Sequence, residues 1–456
     1  MNRIINVIIA VIFLVTSNFG FDTLQVKEVG PGVIYYKIID SIRPLSIDVL
    51  KIDLKNKEND LEVFIPFDTL GVGGLTASQF SKYLSKKDFN VIAGVNADFF
   101  GGYPIQAQNS TISNGELIKG ANLNRSLLII DSNKTPSIDR YKFVGELLIT
   151  QKKYNIDGFN NVNPNSEIVL VNNRLKNYSK EFHPFQYPIN LRSDLKLNKQ
   201  IDFVFDENNE NIQNSFLLLS KNPINEFSKS NEGSIKLYFR DIEDKSIKSM
   251  VGGLPGLYKN SKITHDFFGI ENVRSEKFID KNPRTAVGYN STKDTLIILT
   301  VDGRKPNHSM GLNLYELSRL MKMLGCTDAL NLDGGGSTSM VIRDSVVNKP
   351  SDLTGERILY SMLMVLSKNK SENRIEVFPK FKEIMHNHTI DFDLKVFDKW
   401  GFETKLDSSY VEIKVEGVEG QFNNYEFIPR TTGNALFIWN YKNLSDTSRA
   451  VIIPGE

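Results

Sequence analysis

Short apolar runs with a period of two recur along this chain, and that rhythm restricts it to sheet-built folds. VIYYKII (33–39), LSIDVLKIDL (45–54), EIVLV (167–171), SFLLLS (215–220), SIKLYF (234–239) and NALFIWNY (434–441) each place side chains alternately on two faces, or run apolar through a buried strand. Two windows instead carry helical spacing. In TASQFSKYLSK (76–86), Thr76 and Gln79 are placed as a capping box. In GLNLYELSRLMKMLG (311–325), Asn313 and Glu316 form a second box, Leu317, Leu320, Met321 and Leu324 share one face, and Gly325 stops the helix.

At 456 residues the chain exceeds one ordinary domain. The sequence predicts an α+β protein: a mainly β-sheet domain with a few packed helices over 21–368, then a small β-sandwich of immunoglobulin-like type over 369–456. SENRIEVFPKFK (371–382) reads as the linker, and HTIDFDLKVFDKWGFETKL and SYVEIKVEG as sandwich strands. The last domain reads as either incomplete or ending at VIIPGE. Residues 130–250, rich in Asn, Lys and Ser, read as sheet with long surface loops.

MNRIINVIIAVIFLVTSNFG (1–20) has Arg3, an apolar run and a small, polar end. It reads as a secretory signal peptide, with a retained membrane anchor as the alternative. The expected location is therefore secreted, or peripheral to the cell envelope. Lys+Arg 55 against Asp+Glu 54 leaves no basic field, so nucleic acid is not an expected partner. The single cysteine, Cys326, lies among apolar neighbours and reads as a buried structural thiol.

Polar residues end several predicted strands. Asn96 and Asp98 follow VIAGV, Asp302 follows LIILTV, and Asn331 and Asp333 flank Leu332, each pair falling on one strand face by alternation. Asp before Gly is also a common turn signal. Arg284 and Arg304 can offer paired hydrogen bonds to phosphate oxygens, and Arg125 and Arg357 sit in polar settings. In NLDGGGSTSMV (331–341), Gly334, Gly335 and Gly336 would bring backbone N–H groups close to an anion, with Ser337 and Thr338 adding hydroxyls. HExxH, CxxC, phosphate-binding lysine loops and GxSxG are absent, and His308 has no partner histidine in sequence, so no histidine-built metal site is expected.

GVNADFF (94–100), ISNGELIKG (112–120), VGGLPGLYKNSK (251–262), PRTAVGY (283–289), VDGR (301–304), the run from MGLNLYEL to GGGSTSMV (310–341) and VVNKPSD with GER (346–357) occur in that order. Together they resemble the phosphodiester glycosidase family. Residues 130–250 match poorly, and RKPNHSMG departs from the usual small-residue run, which leaves His308 without an assigned role. The resemblance implies hydrolysis of the C1–O bond of a sugar-1-phosphodiester in a glycan or glycoconjugate. It makes Asp333 and Asp302 the leading carboxylates and Asp98 the third. Arg284 and Arg304 would clamp the phosphate, residues 334–338 would line the pocket, and Asn96 and Asn331 would bind sugar hydroxyls. A phosphomonoester leaves readily, so arginines can partly replace a strong general acid. No cofactor is required; a structural calcium or magnesium ion is an option that the carboxylates and Asn carbonyls allow. Two other readings stay open: a phosphodiesterase cutting P–O, and a non-catalytic envelope or glycan-binding protein.

Overall fold

The computed structural model describes residues 21–40, 42–179, 181–205, 215–242, 246–264, 267–271, 273, 276–368 and 372–455. The signal-peptide expectation for 1–20 lies outside the described residues. The chain forms two compact units, Met1–Lys368 and Asn369–Glu456.

Among the described residues, three large sheets and a two-stranded one, Phe100–Gly101 with Gln106–Ala107, build the first unit. One has eight strands, all paired antiparallel, in the order Phe21–Gly30, Val33–Asp40, Leu45–Asp53, Thr295–Val301, Arg284–Tyr289, Asp328–Asn331, Gly256–Lys259, Lys262–Ile263. Its strands from the two ends of the unit pair directly, Ile47 with Val301 and Ile52 with Leu296. A five-stranded sheet orders Ser345–Val346, Met340–Ile342, Val91–Asn96, Met362–Ser367 and Asn59–Phe64. Both helical windows form as expected. Ala77–Lys86 buries Phe80 and Leu84 beneath a complete Thr76–Gln79 capping box. Leu314–Met323 buries Leu317, Leu320 and Met321 beneath an Asn313–Glu316 box. Cys326 is buried in the core below that helix, and burial pushes its thiol up to about 12, so it stays protonated and inert.

The stretch 130–250 lies largely in a third sheet of thirteen strands, where Phe143, Leu147, Phe203, Leu218, Ile235 and Leu237 form a contiguous core. Among the described residues, no helix is long and apolar enough to cross a membrane.

The second unit is all-β. Glu372–Phe378 pairs with Asp393–Asp398, and Phe381–Met385 lies parallel to Leu444–Ile453, which pairs antiparallel with Gly433–Tyr441. Alternation in NALFIWNY turns Ala435, Phe437, Trp439 and Tyr441 inward together. Trp439 is fully buried and edge-on to Phe392 and Tyr425, so it is a core residue; Trp400 is half-buried under Lys399.

Candidate active site

The register of the eight-stranded sheet sets the site. Arg284 pairs with Val301 and Ala286 with Asn331, so Arg284, Asp302 and Asn331 emerge at one end of three neighbouring strands. The strand Asp328–Asn331 stops two residues short of Asp333, and Val91–Asn96 stops two short of Asp98. Both acids therefore project from the turns beyond their strands, where alternation no longer fixes direction. The two sheets meet here. Asp333 N–H donates to Ala97 O at 2.9 Å, and Asn96 N–H donates to Ser339 O at 3.1 Å.

Asn96 binds these segments together. Its amide donates to Asp333 O at 2.5 Å, and its Oδ1 accepts from Thr285 Oγ1 at 2.7 Å and Ser339 N–H at 3.0 Å. Its polar atoms are thus occupied within the protein rather than offered to a sugar. Asn331 donates to Leu254 O at 2.6 Å, while its Oδ1 is buried without a partner.

Asp333 is half-buried, and burial pushes its carboxyl up to about 7. The nearby charge of Asp98 raises it further, while Ser337, the Gly334 N–H and the Arg357 guanidinium oppose the rise. Ser337 acts on it from outside hydrogen-bond geometry, since its buried hydroxyl has no partner. The Thr338 hydroxyl is likewise buried and unpartnered. Asp98 is buried, and its two oxygens accept from Asn109 N–H at 2.7 Å and the Asn109 side-chain amide at 2.6 Å. Burial raises this carboxyl as well, against those two donors and the charges of Lys119 and Arg125.

The glycine turn works differently from the expectation. The N–H groups of Gly334, Gly335, Ser337 and Thr338 donate to Asp333 Oδ1, Pro283 O, Gly334 O and Gly335 O respectively. These donors stay within the protein. The absent side chains instead let arginines approach. A Cβ on Gly336 would stand 2.1 Å from Asp352 Oδ1 and 2.2 Å from an Arg357 nitrogen; one on Gly335, at φ +61°, would stand 3.0 Å from Arg304. Arg357 grips Asp352 through two bonds of 2.8 and 3.0 Å. Arg304 is exposed, in the left-handed region at φ 60°, and donates to Asn282 Oδ1.

Arg284 and Asp302 lie deeper than expected. Arg284 is buried, and its guanidinium donates to the carbonyls of Leu312, Phe278, Ile279 and Asp280, which ties the sheet to its flanking segments. Burial and the neighbouring Arg304 pull it down to about 10. Asp302 is buried, with one oxygen accepting from Asn348 and Lys349 N–H at 3.1 and 2.9 Å and the other 2.7 Å from His308 Nε2. Asn348 also donates to Thr338 O at 3.0 Å, which connects this pair to the glycine turn. Asp98, placed third by sequence, is thus the carboxylate whose charge reaches Asp333. His308, Asn348, Asp352 and Asn109 went unassigned because their roles depend on partners distant in sequence. Only the polar loop around His308 hinted at one.

Beside Asp98 opens a cleft of about 720 Å³, lined in part by Gln106, Lys119 and Arg125. Among the described residues, no group of three or more His, Cys, Asp or Glu side chains is arranged to hold a metal ion.

Residues 197–366 match the model of the phosphodiester glycosidase family. The match begins inside the stretch 130–250 that resembles the family poorly by its motifs. Over 72 residues the chain is 42% identical to the SPbeta prophage-derived protein YomE of Bacillus subtilis, covering 16% of this chain and 11% of that protein. Over 69 residues it is 39% identical to the N-acetylglucosamine-1-phosphodiester alpha-N-acetylglucosaminidase of Bos taurus, covering 15% and 12%. The chain thus spans only about an eighth or less of the length of these relatives. A hypothetical protein from Synechocystis shares the fold, with TM-score 0.60 and 13% identity over 76% of this chain and 64% of that one. So does a Burkholderia pseudomallei protein described as exported, with TM-score 0.53 and 20% identity over 73% and 74%. With the fold in place, residues 197–366 are identified as similar to the phosphodiester glycosidase family, a family of glycosidase-type hydrolases.

Proposed function

We propose that this protein hydrolyses the C1–O bond of a sugar-1-phosphodiester, releasing free sugar and a phosphomonoester. One observation carries the reading: the carboxyl of Asp333 lies within reach of the charge of Asp98, beside a turn that admits Arg304 and Arg357. Two interacting acids in unlike settings divide acid and base work. Asp333, raised to about 7, holds a proton near neutrality and delivers it to the departing oxygen. Asp98 is the group held ionised by the Asn109 donors and the Lys119 and Arg125 charges. It faces the positive charge that develops at the anomeric carbon. Arg304 and Arg357 stabilise the phosphate as it leaves. Asn96, Arg284 and the Asp302–His308 pair hold this frame in position. The steps need no cofactor.

The substrate in this reading is a glycan or glycoconjugate phosphodiester. Residues 1–20 act as a signal peptide, the mature protein is secreted and peripheral to the cell envelope, and the C-terminal unit is an immunoglobulin-like spacer. The all-β core around Trp439 supports that last assignment.

The test is hydrolysis of N-acetylglucosamine-1-phosphate methyl diester in water enriched in oxygen-18. Label in the sugar is expected, with loss of turnover in Asp333→Asn. Label in the phosphate, or full turnover by that variant, would overturn the reading.

A further inference from the structure

We infer that the cleft beside Asp98 seats uncharged sugar units attached to the one whose C1–O bond is cut, so that the protein releases an oligosaccharide rather than a single sugar. This inference rests on the proposed hydrolytic reading. The cleft, at about 720 Å³, is of the size that buries a drug-sized ligand, well beyond one pyranose ring. It adjoins a smaller hollow of about 170 Å³ that shares Asn122 and Asp157 in its lining, so there is length for a chain of sugars as well as width. In the hydrolytic reading the cleft lies on the sugar side of the reaction centre. Gly101 lines it three residues after Asp98, and the charges of Lys119 and Arg125 reach Asp98, whereas Arg357, assigned to the phosphate, acts on Asp333.

The charged side chains of the lining are engaged within the protein. Lys119 donates to Ala107 O at 2.5 Å, and Arg125 to Gln108 Oε1 at 2.6 Å. Asp157 accepts from the main-chain N–H groups of Glu167 and Ile168 at 2.7 and 3.3 Å. The carboxamides are the groups left over. Gln106, Asn122, Asn161 and Asn165 line the cleft with side-chain amides that bond to nothing among the described residues. Gln106 is the sharpest case: it is 5% exposed, and its Oε1 is buried without a partner, where a buried polar atom normally has one. A carboxamide both donates and accepts, and so does a sugar hydroxyl. A simple ion would use only half of each amide, so this lining selects a neutral polyhydroxyl ligand.

The rim is aromatic. Tyr103 is 72% exposed and Phe182 37% exposed, both at the cleft edge. Flat rings above an amide-lined trough suit pyranose units, whose apolar faces lie on the rings while their hydroxyls turn to the walls. Stacking and amide pairing of this kind recognise a pyranose chain by its shape and hydroxyls and require no charge on it.

The probes are linear neutral tetrasaccharides of N-acetylglucosamine, glucose, mannose and galactose, each measured by calorimetry on the full chain beside its own monosaccharide. At least one tetrasaccharide should bind about tenfold tighter than its monosaccharide. The double variant Asn161→Ala, Phe182→Ala should remove that gain while leaving monosaccharide affinity and turnover of N-acetylglucosamine-1-phosphate methyl diester unchanged. Equal affinity for every tetrasaccharide and its monosaccharide, or a gain intact in the double variant, would overturn the inference. Methyl diester turnover without a tetrasaccharide gain sinks this inference alone. A tetrasaccharide gain without turnover sinks the hydrolytic reading and leaves a glycan-binding cleft.

Discussion

Asn96 donates its side-chain amide to the main-chain carbonyl of Asp333 at 2.5 Å, and that bond joins the segments that follow strands of two different sheets. The same side chain accepts from Thr285 and Ser339, so one residue satisfies three buried groups. Asn96→Ala should cost about 1–3 kcal/mol through unsatisfied buried polar atoms. It should also lower kcat, because Asp333 loses its anchor. Denaturant unfolding and turnover together check this; a variant with unchanged stability would show that the clasp carries no energy.

Gly336 is the position where the turn admits the Asp352–Arg357 pair. A methyl there meets both partners at about 2 Å. Gly336→Ala should displace Arg357 and reduce kcat/KM by about a hundredfold, while circular dichroism stays native. Wild-type activity in that variant would remove Arg357 from the phosphate-binding role.

Asp333 gives stability a pH dependence with a definite sign. Its carboxyl titrates near 7 when folded, against an ordinary value of 3.8. Between those values the native state holds a proton that the unfolded chain has released. Wild-type stability therefore falls as pH rises through this window, and the whole loss is present above it. Asp333→Asn has no such proton, so its stability relative to wild type should climb from about pH 4 to about pH 7 and then level off. Melts across that range test this, and a flat difference would mean the carboxyl is not raised.

His308 and Asp302 form a pair that holds the loop after VDGR against the glycine turn through Asn348. His308→Ala should cost roughly 1–3 kcal/mol, because a buried carboxylate loses one of its partners. His308→Asn should recover part of it. Thermal unfolding of both variants decides; an unchanged midpoint in His308→Ala would assign the pair no structural role.

Trp439 fills the core of the second unit against Phe392, Phe437 and Phe422. Trp439→Ala should destabilise that unit by about 3–5 kcal/mol. Limited proteolysis should then cut first within 372–455, and protection of that region would contradict the packing.

Period-two alternation was enough to read the strands VIYYKII, LSIDVLKIDL and NALFIWNY from sequence, although the second is buried on both faces, with Ser46 and Asp48 inside. The two helices were equally legible, because a capping box and its apolar face lie within one short window. Asp98, Asp333 and the glycine turn were picked out as polar residues just past strand ends, again a local signal. Sequence by itself determined those elements and the chemical types at the site. Only the tertiary structure decided which acid stands beside Asp333, that Arg284 is spent on carbonyls, and that His308 belongs to Asp302. It also decided that Gly335 and Gly336 make room for Arg304 and Arg357, and that the N–H groups of Gly334 and Gly335 bond within the protein. Each of these depends on contacts such as Asn96 with Asp333, 237 residues apart, or Asn348 with Asp302, which form when separate sheets and loops close on one another. Burial, charge proximity and hydrogen-bond partnership are properties of that closure, and no local spacing encodes them.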